Sequence, residues 1–481
     1  MSRRLSLILA GAAVIMILAS GCGKKRPEPE PLVPAPDYDT GITVSNNVPE
    51  INTVITTGAG IYESAGSKRA MVVDPDGDEA FRVMNADTDK AVYEGKIRYR
   101  RDEDDINGET DGKNIAVCDL TEVKKEGKYY IKTDKGARSE PFTITGGLYK
   151  ELLSKRLDYF AGNKEADKVT EENMGQSFMR IADRLLSNEF FPDAADISLD
   201  DERKQVPKTV LIAKDDIDVL KEFFDEDEIS PSFLHSDVGR QYQYAAVFAM
   251  FAYNYSEYDK AFADECTKIA QAVYDVAEDN YEKGMYSATK PCDDKRFWAS
   301  AQLYKLTGIK EYRLTAESYA GSNPNGLQKG LNEEASGYFG SVAYLTCYYS
   351  IELDVAEIFI TTLMNDINTV VKQSPEEEFF TVSDSENEEE AVKEAFDNAR
   401  LVVLGNYISK SITYVECCED RLAFLYGRNA LGKDYAYDHG SEYYNEPQEF
   451  ILSGLIDSYI YEDKEPTAND AKQKKKTGRG R

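Results

Sequence analysis

Pro141-Phe142-Thr143-Ile144-Thr145-Gly146-Gly147-Leu148-Tyr149-Lys150-Glu151-Leu152-Leu153 is the stretch on which the fold turns. Before the glycine pair, Phe142 and Ile144 alternate with threonine, the two-residue period of a half-buried strand. After it, Leu148, Leu152, Leu153, Leu157 and Phe160 fall on one helical face. The text is β before Gly146-Gly147 and α beyond it.

Upstream, residues 51–145 consist of short β-type runs. Ala70-Met71-Val72-Val73 ends in the turn signal Asp74-Pro75-Asp76-Gly77, and Phe81-Arg82-Val83-Met84 is closed by Asn85-Ala86-Asp87. Lys128-Tyr129-Tyr130-Ile131-Lys132 follows later. Short strands at regular spacing with Asp/Gly/Asn turns read as a β-sandwich. Downstream, the helical period recurs in Val210, Ile217, Leu220 and Phe224, and most clearly in Phe262, Cys266, Ile269, Val273 and Val276. Further segments lie near 294–307, 338–353, 355–372, 391–414 and 446–460, roughly twelve helices in all up to Tyr461. That number suits a barrel of paired helices. Periodicity alone leaves a solenoid open, although no repeat of fixed period is present. Pro375 to Glu390 is an acidic insertion, and residues 466–481 read as a solvated basic tail.

The N-terminus reads as an export signal. Arg3 and Arg4 precede the apolar stretch Leu5 to Leu18, which is short for a membrane span. Leu18-Ala19-Ser20-Gly21-Cys22 then looks like a bacterial lipobox, in which residues 1–22 form the signal region and Cys22 carries the lipid. Residues 23–50 hold Pro27, Pro29, Pro31, Pro34 and Pro36, the composition of an extended tether. The expected location is extracytoplasmic, lipid-anchored to the bacterial cell membrane.

The 481 residues carry a formal net charge of −30, which argues against a nucleic-acid partner because an acidic surface repels phosphates. Six further cysteines are scattered without C-x-x-C spacing, and His235 and His439 are the only histidines, so a His-rich zinc site is not expected. Asp74, Asp76 and Asp78 alternate at a spacing that offers oxygen ligands to a structural calcium. A plain turn between strands explains the same residues and is the preferred reading.

A resemblance joins these readings. Gly66-Ser67-Lys68-Arg69-Ala70-Met71-Val72-Val73, Val92-Tyr93-Glu94-Gly95-Lys96, Asp119-Leu120-Thr121, Glu126-Gly127-Lys128-Tyr129-Tyr130 and Arg138-Ser139-Glu140-Pro141-Phe142 resemble, in order and spacing, the immunoglobulin-like domain that precedes many catalytic domains of glycoside hydrolase family nine. In the helical part, Phe297-Trp298-Ala299-Ser300-Ala301-Gln302-Leu303-Tyr304-Lys305-Leu306-Thr307-Gly308 resembles the family's "W-A-A-A-E-L-Y-R-A-T-G" helix. Leu425-Tyr426-Gly427-Arg428-Asn429-Ala430-Leu431-Gly432 resembles its "L-L-G-R-N-P-L-G". The resemblance implies a multidomain chain: an N-terminal Ig-like β-sandwich over 51–145 and an all-α (α/α)6 barrel over 148–465. It also implies a cellulase-like cleft for a β-glucan-type polysaccharide, and no cofactor.

The chemistry departs from the family. Inverting hydrolysis needs an acid that protonates the leaving oxygen and a base that activates water. The family takes its base from "D-A-G-D" shortly after the first helix, and no such motif stands between Phe160 and Met174. For the acid, aligning Tyr444-Asn445-Glu446-Pro447 with the family's "Y-N-A-P" places His439 at the acid position. Sliding Asn445-Glu446 onto the family's "N-E" makes Glu446 the acid instead. The first alignment also places the apolar run Phe450-Ile451-Leu452 and is preferred. Tyr443, Tyr444 and Tyr338 are candidate sugar-contacting aromatics. Trp298 reads as core, and Asp215, Asp216 and Asp218 read as a solvated helix face. Glu333 and Glu334 are placed to reach a cleft mouth. The expectation is a degenerate barrel that binds a glycan or a cell-surface protein, with an active endoglucanase using non-standard carboxylates as the alternative.

Overall fold

The computed structural model describes residues 53–58, 60–73, 75, 77–99, 115–162, 169–170, 173–194, 206–223, 237–285, 292–322, 335–374, 388–429, 433–435 and 448–463. Two compact units are present. One takes in Met1–Leu148, Val370–Ala399 and Ile412–Tyr444; the other takes in Tyr149–Thr369, Arg400–Ser411 and Asn445–Arg481.

Among the described residues the first unit is built on nine strands: β1 (Val54–Thr56), β2 (Ile61–Glu63), β3 (Arg69–Val73), β4 (Ala80–Asn85), β5 (Ala91–Lys96), β6 (Arg98–Tyr99), β7 (Ile115–Asp119), β8 (Gly127–Thr133) and β9 (Phe142–Thr145). They form a four-stranded sheet in the order β1-β3-β7-β6 and a five-stranded sheet in the order β2-β9-β8-β4-β5. Among the described strands only the β2–β9 pairing is parallel. Side-chain alternation makes the core. Phe81 and Val83 point inward while Arg82 between them is exposed, and they meet Ile131, Phe142 and Ile144 from one sheet and Ala70, Val72, Ala116 and Cys118 from the other. The turn expected after Val73 is present: the Asp78 amide donates to the Pro75 carbonyl at 2.8 Å, with Gly77 at φ +71°.

Twelve helices follow among the described residues: α1 (Leu148–Gly162), α2 (Met174–Phe190), α3 (Lys208–Lys221), α4 (Val238–Tyr255), α5 (Lys260–Glu282), α6 (Asp293–Thr307), α7 (Lys310–Ser322), α8 (Ser336–Leu345), α9 (Leu353–Gln373), α10 (Glu388–Ile408), α11 (Ile412–Leu425) and α12 (Gln448–Asp463). The chain is thus an Ig-like β-sandwich followed by the all-α part of an (α/α)6 barrel.

In the first unit, α11 is tied to the sandwich by charge. Asp420 lies between Arg69 at 2.5 Å and Arg428 at 2.7 Å, and the Ser67 amide donates to Glu419 at 2.8 Å. The Gly-Arg-Asn of the resemblance is therefore a structural corner. Arg428 serves this pairing, and Asn429 Nδ2 donates to the carbonyls of Phe424 and Lys433, each at 2.8 Å. Gly58, at φ +67°, sits where a Cβ would lie 3.3 Å from that of Arg428.

In the second unit, Asp237 caps α4 by accepting from the Arg240 amide, and Asp259 caps α5 by accepting from the Phe262 amide. Gly308 ends α6 in the left-handed conformation, with its amide donating to the Tyr304 carbonyl at 2.8 Å. The short turns 256–259, 308–309 and 346–352 make α4/α5, α6/α7 and α8/α9 reversing pairs. Lys305, near the end of α6, reaches Glu189 near the end of α2 at 2.5 Å and Thr346 just past α8 at 2.8 Å, so these C-terminal ends lie together. The N-termini of α2, α6 and α8 consequently mark the opposite end, where Arg296 at the start of α6 grips Glu278 near the end of α5 at 2.6 Å.

Two expected helices prove shorter. The segment read as 338–353 ends at Leu345, because tertiary hydrogen bonds claim the next turn: Tyr304 Oη donates to the Ser350 carbonyl at 2.5 Å, and the Glu352 amide donates to Tyr344 Oη at 3.0 Å. The segment read as 391–414 is two helices parted at 409–411, where the Ser411 amide donates to Asn406 Oδ1 at 3.1 Å. No described helix is long and apolar enough to cross a membrane.

Candidate functional site

The family places its two carboxylates just after the first barrel helix and just before the last. In this chain those places are the connection that leaves α1 at Gly162 and the segment that enters α12 at Gln448. The described side chains nearest them in sequence form one buried ion cluster in the second unit, centred on Phe160. The guanidinium groups of Arg184, Arg156 and Arg180 lie 4.7, 5.0 and 5.7 Å from its ring centroid. Arg184, fully buried, pairs with Glu449 at 3.0 Å and Asp216 at 3.2 Å. Arg156 lies 3.6 Å from the second oxygen of Glu449, and Arg180 lies 3.7 Å from Asp216.

Among the described residues the cluster holds three positive and two negative charges, with the aromatic face of Phe160 supplying further attraction to the cations. Burial alone raises the Glu449 carboxyl. The charges of Arg156 and Arg184 and the Arg184 hydrogen bond outweigh it together and hold the group below the ordinary glutamate value. A general acid needs the opposite shift.

A second group of side chains lies along α6 and α8. Trp298 stacks on Phe339 at 5.0 Å, Phe339 meets Tyr338 edge-on at 5.3 Å, and the Arg400 guanidinium covers the Tyr338 ring at 4.8 Å while pairing with Asp183 at 3.2 Å. Trp298 Nε1, Gln302 Nε2, Ser336 Oγ and Tyr338 Oη are buried and meet no hydrogen-bond partner among the described residues. All four can donate. Buried polar groups are nearly always satisfied in folded proteins, so an ordered water or a ligand oxygen is what would complete such donors. Burial pushes the Tyr338 hydroxyl above the ordinary tyrosine value, which keeps it protonated as a donor.

Several expectations meet the structure here. Tyr338 is fully buried beneath Arg400, so its ring cannot lie flat under a sugar; its hydroxyl is what it offers. Trp298 is fully buried core. Asp216 is not on a solvated face: its side chain is 16% exposed and faces Arg180 and Arg184, whereas Asp218 pairs outward with Lys214. The sequence signal for this cluster is Arg180 and Arg184, one helical turn apart on the face of α2 that also buries Ser177 and Ile181.

Asp78 is buried. Its carboxylate accepts from the Lys135 amide at 2.8 Å beside Asp134, which accepts from the Glu79 and Ala80 amides. Burial raises the Asp78 carboxyl above the ordinary aspartate value. Among the described residues no group of three or more His, Cys, Asp or Glu could hold a metal ion. Cys22, Asp74, Asp76, His235, Glu333, Glu334, His439, Tyr443, Tyr444 and Glu446 lie outside the described residues.

This architecture belongs to a class that comparison identifies. The profile described as "Glycosyl hydrolase family 9" matches residues 235–477, and that described as "Cellulase N-terminal ig-like domain" matches residues 60–138. The chain belongs to glycosyl hydrolase family 9. It is 23% identical over 343 residues to a cellodextrinase of Butyrivibrio fibrisolvens, covering 56% of this chain and 60% of that one. It is 20% identical over 203 residues to endoglucanase D of Acetivibrio thermocellus, covering 40% and 32%. The matches thus span at most about three fifths of these relatives. Among solved structures, a metagenome-derived family 9 endoglucanase superposes with a TM-score of 0.65 at 16% identity over 81% of this chain and 86% of that one. A family 9 protein of Bacteroides ovatus gives 0.63 at 16% identity over 79% and 85%. These likenesses establish the fold.

Proposed function

We propose that the protein is a lipid-anchored envelope protein whose family 9 barrel binds a β-glucan-type polysaccharide without hydrolysing it. The observation that carries this reading is the connection after Phe160: it reaches Met174 without the "D-A-G-D" that supplies the family's base. Inversion fails without a base to activate water, whatever residue occupies the acid position.

The buried carboxylates of the ion cluster do not replace it. Glu449 and Asp216 are each shared between two arginines, which engages their oxygens and, for Glu449, lowers the affinity for the proton a base must take from water. What the barrel keeps is the means to hold a polyhydroxylated ligand. Trp298, Gln302, Ser336 and Tyr338 present unpaired buried donors, which suit sugar oxygens. A β-glucan is the ligand class because the relatives are named cellodextrinase and endoglucanase.

The test is reducing-end release from soluble β-glucans and xylans by the protein lacking residues 1–22, run beside affinity electrophoresis in the same polysaccharides. Retarded migration without release is the expected result. Steady release abolished by Glu446→Gln would establish the catalytic alternative, and neither release nor retardation would remove the glycan reading.

A further inference from the structure

At the opposite end of the second unit, the turn 346–352 presents an aromatic surface to solvent. Tyr348 is 73% exposed and Tyr349 is 41% exposed. Their rings stand nearly perpendicular, at 79°, with centroids 6.3 Å apart. Leu353, which opens α9, and Ile309, which follows Gly308, are exposed as well.

This turn is anchored. Tyr304 Oη and Arg313 Nη1 both donate to the Ser350 carbonyl, the Glu352 amide donates to Tyr344 Oη, and the Cys347 amide donates to the Tyr344 carbonyl. The Tyr349 ring rests on Gly308, where a Cβ would come within 2.6 Å of it, so a side chain at 308 would evict the ring. The Tyr349 ring, held in this way, loses little freedom when it binds, and Tyr348 stands beside it on the anchored backbone of the turn.

We propose that Tyr348 and Tyr349 form an external platform for a neutral β-linked polysaccharide, separate from the barrel site. The proposal rests on the glycan-binding reading and adds a second point of attachment to it. The chemistry fits: a pyranose ring with equatorial hydroxyls presents C–H faces that stack on tyrosine. Glu352, whose side chain is 60% exposed beside the turn, then offers an acceptor to its hydroxyls.

An anionic ligand is disfavoured. Arg313 is already balanced by Glu317 at 3.4 Å and Glu352 at 3.6 Å, and the chain carries −30 overall. A protein partner is disfavoured by size. Four exposed apolar side chains fall far short of the roughly 20–30 residues a side in a standard interface.

The experiment is calorimetric titration of the full chain, in mild detergent, with cellohexaose and with soluble mixed-linkage β-glucan, for wild type, Tyr348→Ala and Tyr348→Phe. Circular dichroism and Trp298 fluorescence verify folding. The expected result is two binding sites in wild type and one in Tyr348→Ala, with apparent affinity for the polymer weakened roughly tenfold, the upper range for one aromatic contact. Tyr348→Phe, which keeps the ring, binds like wild type.

Unchanged affinity and stoichiometry in Tyr348→Ala would overturn the platform and leave the barrel reading standing. Complete loss of binding in that variant would support the platform and remove the barrel site. No binding by wild type would overturn both. A wild-type dimer in light scattering that dissociates in Tyr348→Ala, with glycan binding unaltered, would reassign the patch to contact between copies and overturn the proposal.

Discussion

Glu449→Gln should be among the most damaging single substitutions in the helical unit, and the ion cluster dictates by how much. Glu449 and its partner Arg184 are 1% and 0% exposed, so neither can recover solvation if the other is lost. Removing one partner of a buried pair costs about 3–5 kcal/mol. The charge count ranks the two single variants. Among the described residues, wild type sets Arg156, Arg180 and Arg184 against Glu449 and Asp216, a net +1; Glu449→Gln leaves +2, and Arg184→Met leaves zero. The glutamate variant should therefore be the worse, and the double variant, back at +1, should recover much of the loss. Urea unfolding followed by fluorescence of Trp298, the only tryptophan, reports on this unit. With a slope of ~3 kcal/mol per molar urea, the midpoint of Glu449→Gln should fall by about 1 M or more. Additivity of the two single variants to within about 0.5 kcal/mol would refute the claim that these groups act as one electrostatic unit.

The same glutamate predicts an acid limb of stability. Its folded pKa lies below the ordinary 4.5, so its contribution is full above that value and is lost as pH falls through the lower, folded one. The gap in melting temperature between wild type and Glu449→Gln should hold steady above about pH 5.5 and shrink in acid; a gap independent of pH would contradict the assignment. Thiol reactivity addresses both burial and anchoring. Burial pushes the Cys266 and Cys292 thiols up to about 12, so a thiol reagent at pH 8 should leave them unmodified in the native protein. The proposed lipid on Cys22 predicts that, of seven cysteines, six react in denaturant when the chain is purified from cells. A seventh reactive thiol would rule out lipidation at Cys22.

Much of the fold was legible because local periodicity survives into the tertiary structure. Phe142 and Ile144 alternate inward as a strand, while Leu148, Leu153, Leu157 and Phe160 are all buried along one helix. Family membership was legible from ordered motifs such as the Trp298 helix, which needs small residues where α6 and α8 approach; a Cβ at Gly340 would lie 2.6 Å from the Phe297 ring. The boundaries at Leu345 and Ile408 were not legible, because hydrogen bonds from residues distant in sequence or from a side chain decide them.

The composition of the site divides in the same way. Sequence by itself determined that no D-A-G-D stands between Phe160 and Met174, since a motif is a local string. It could not place Asp216, because a helix with three aspartates in four positions looks solvated until Arg180 and Arg184 from another helix are brought against one of them. It could not tell that Tyr338 is closed beneath Arg400 while Tyr348 stands open, since the two tyrosines differ only in what the chain folds over them. Charge pairing and exposure are properties of neighbours in space, and those the tertiary structure alone decides.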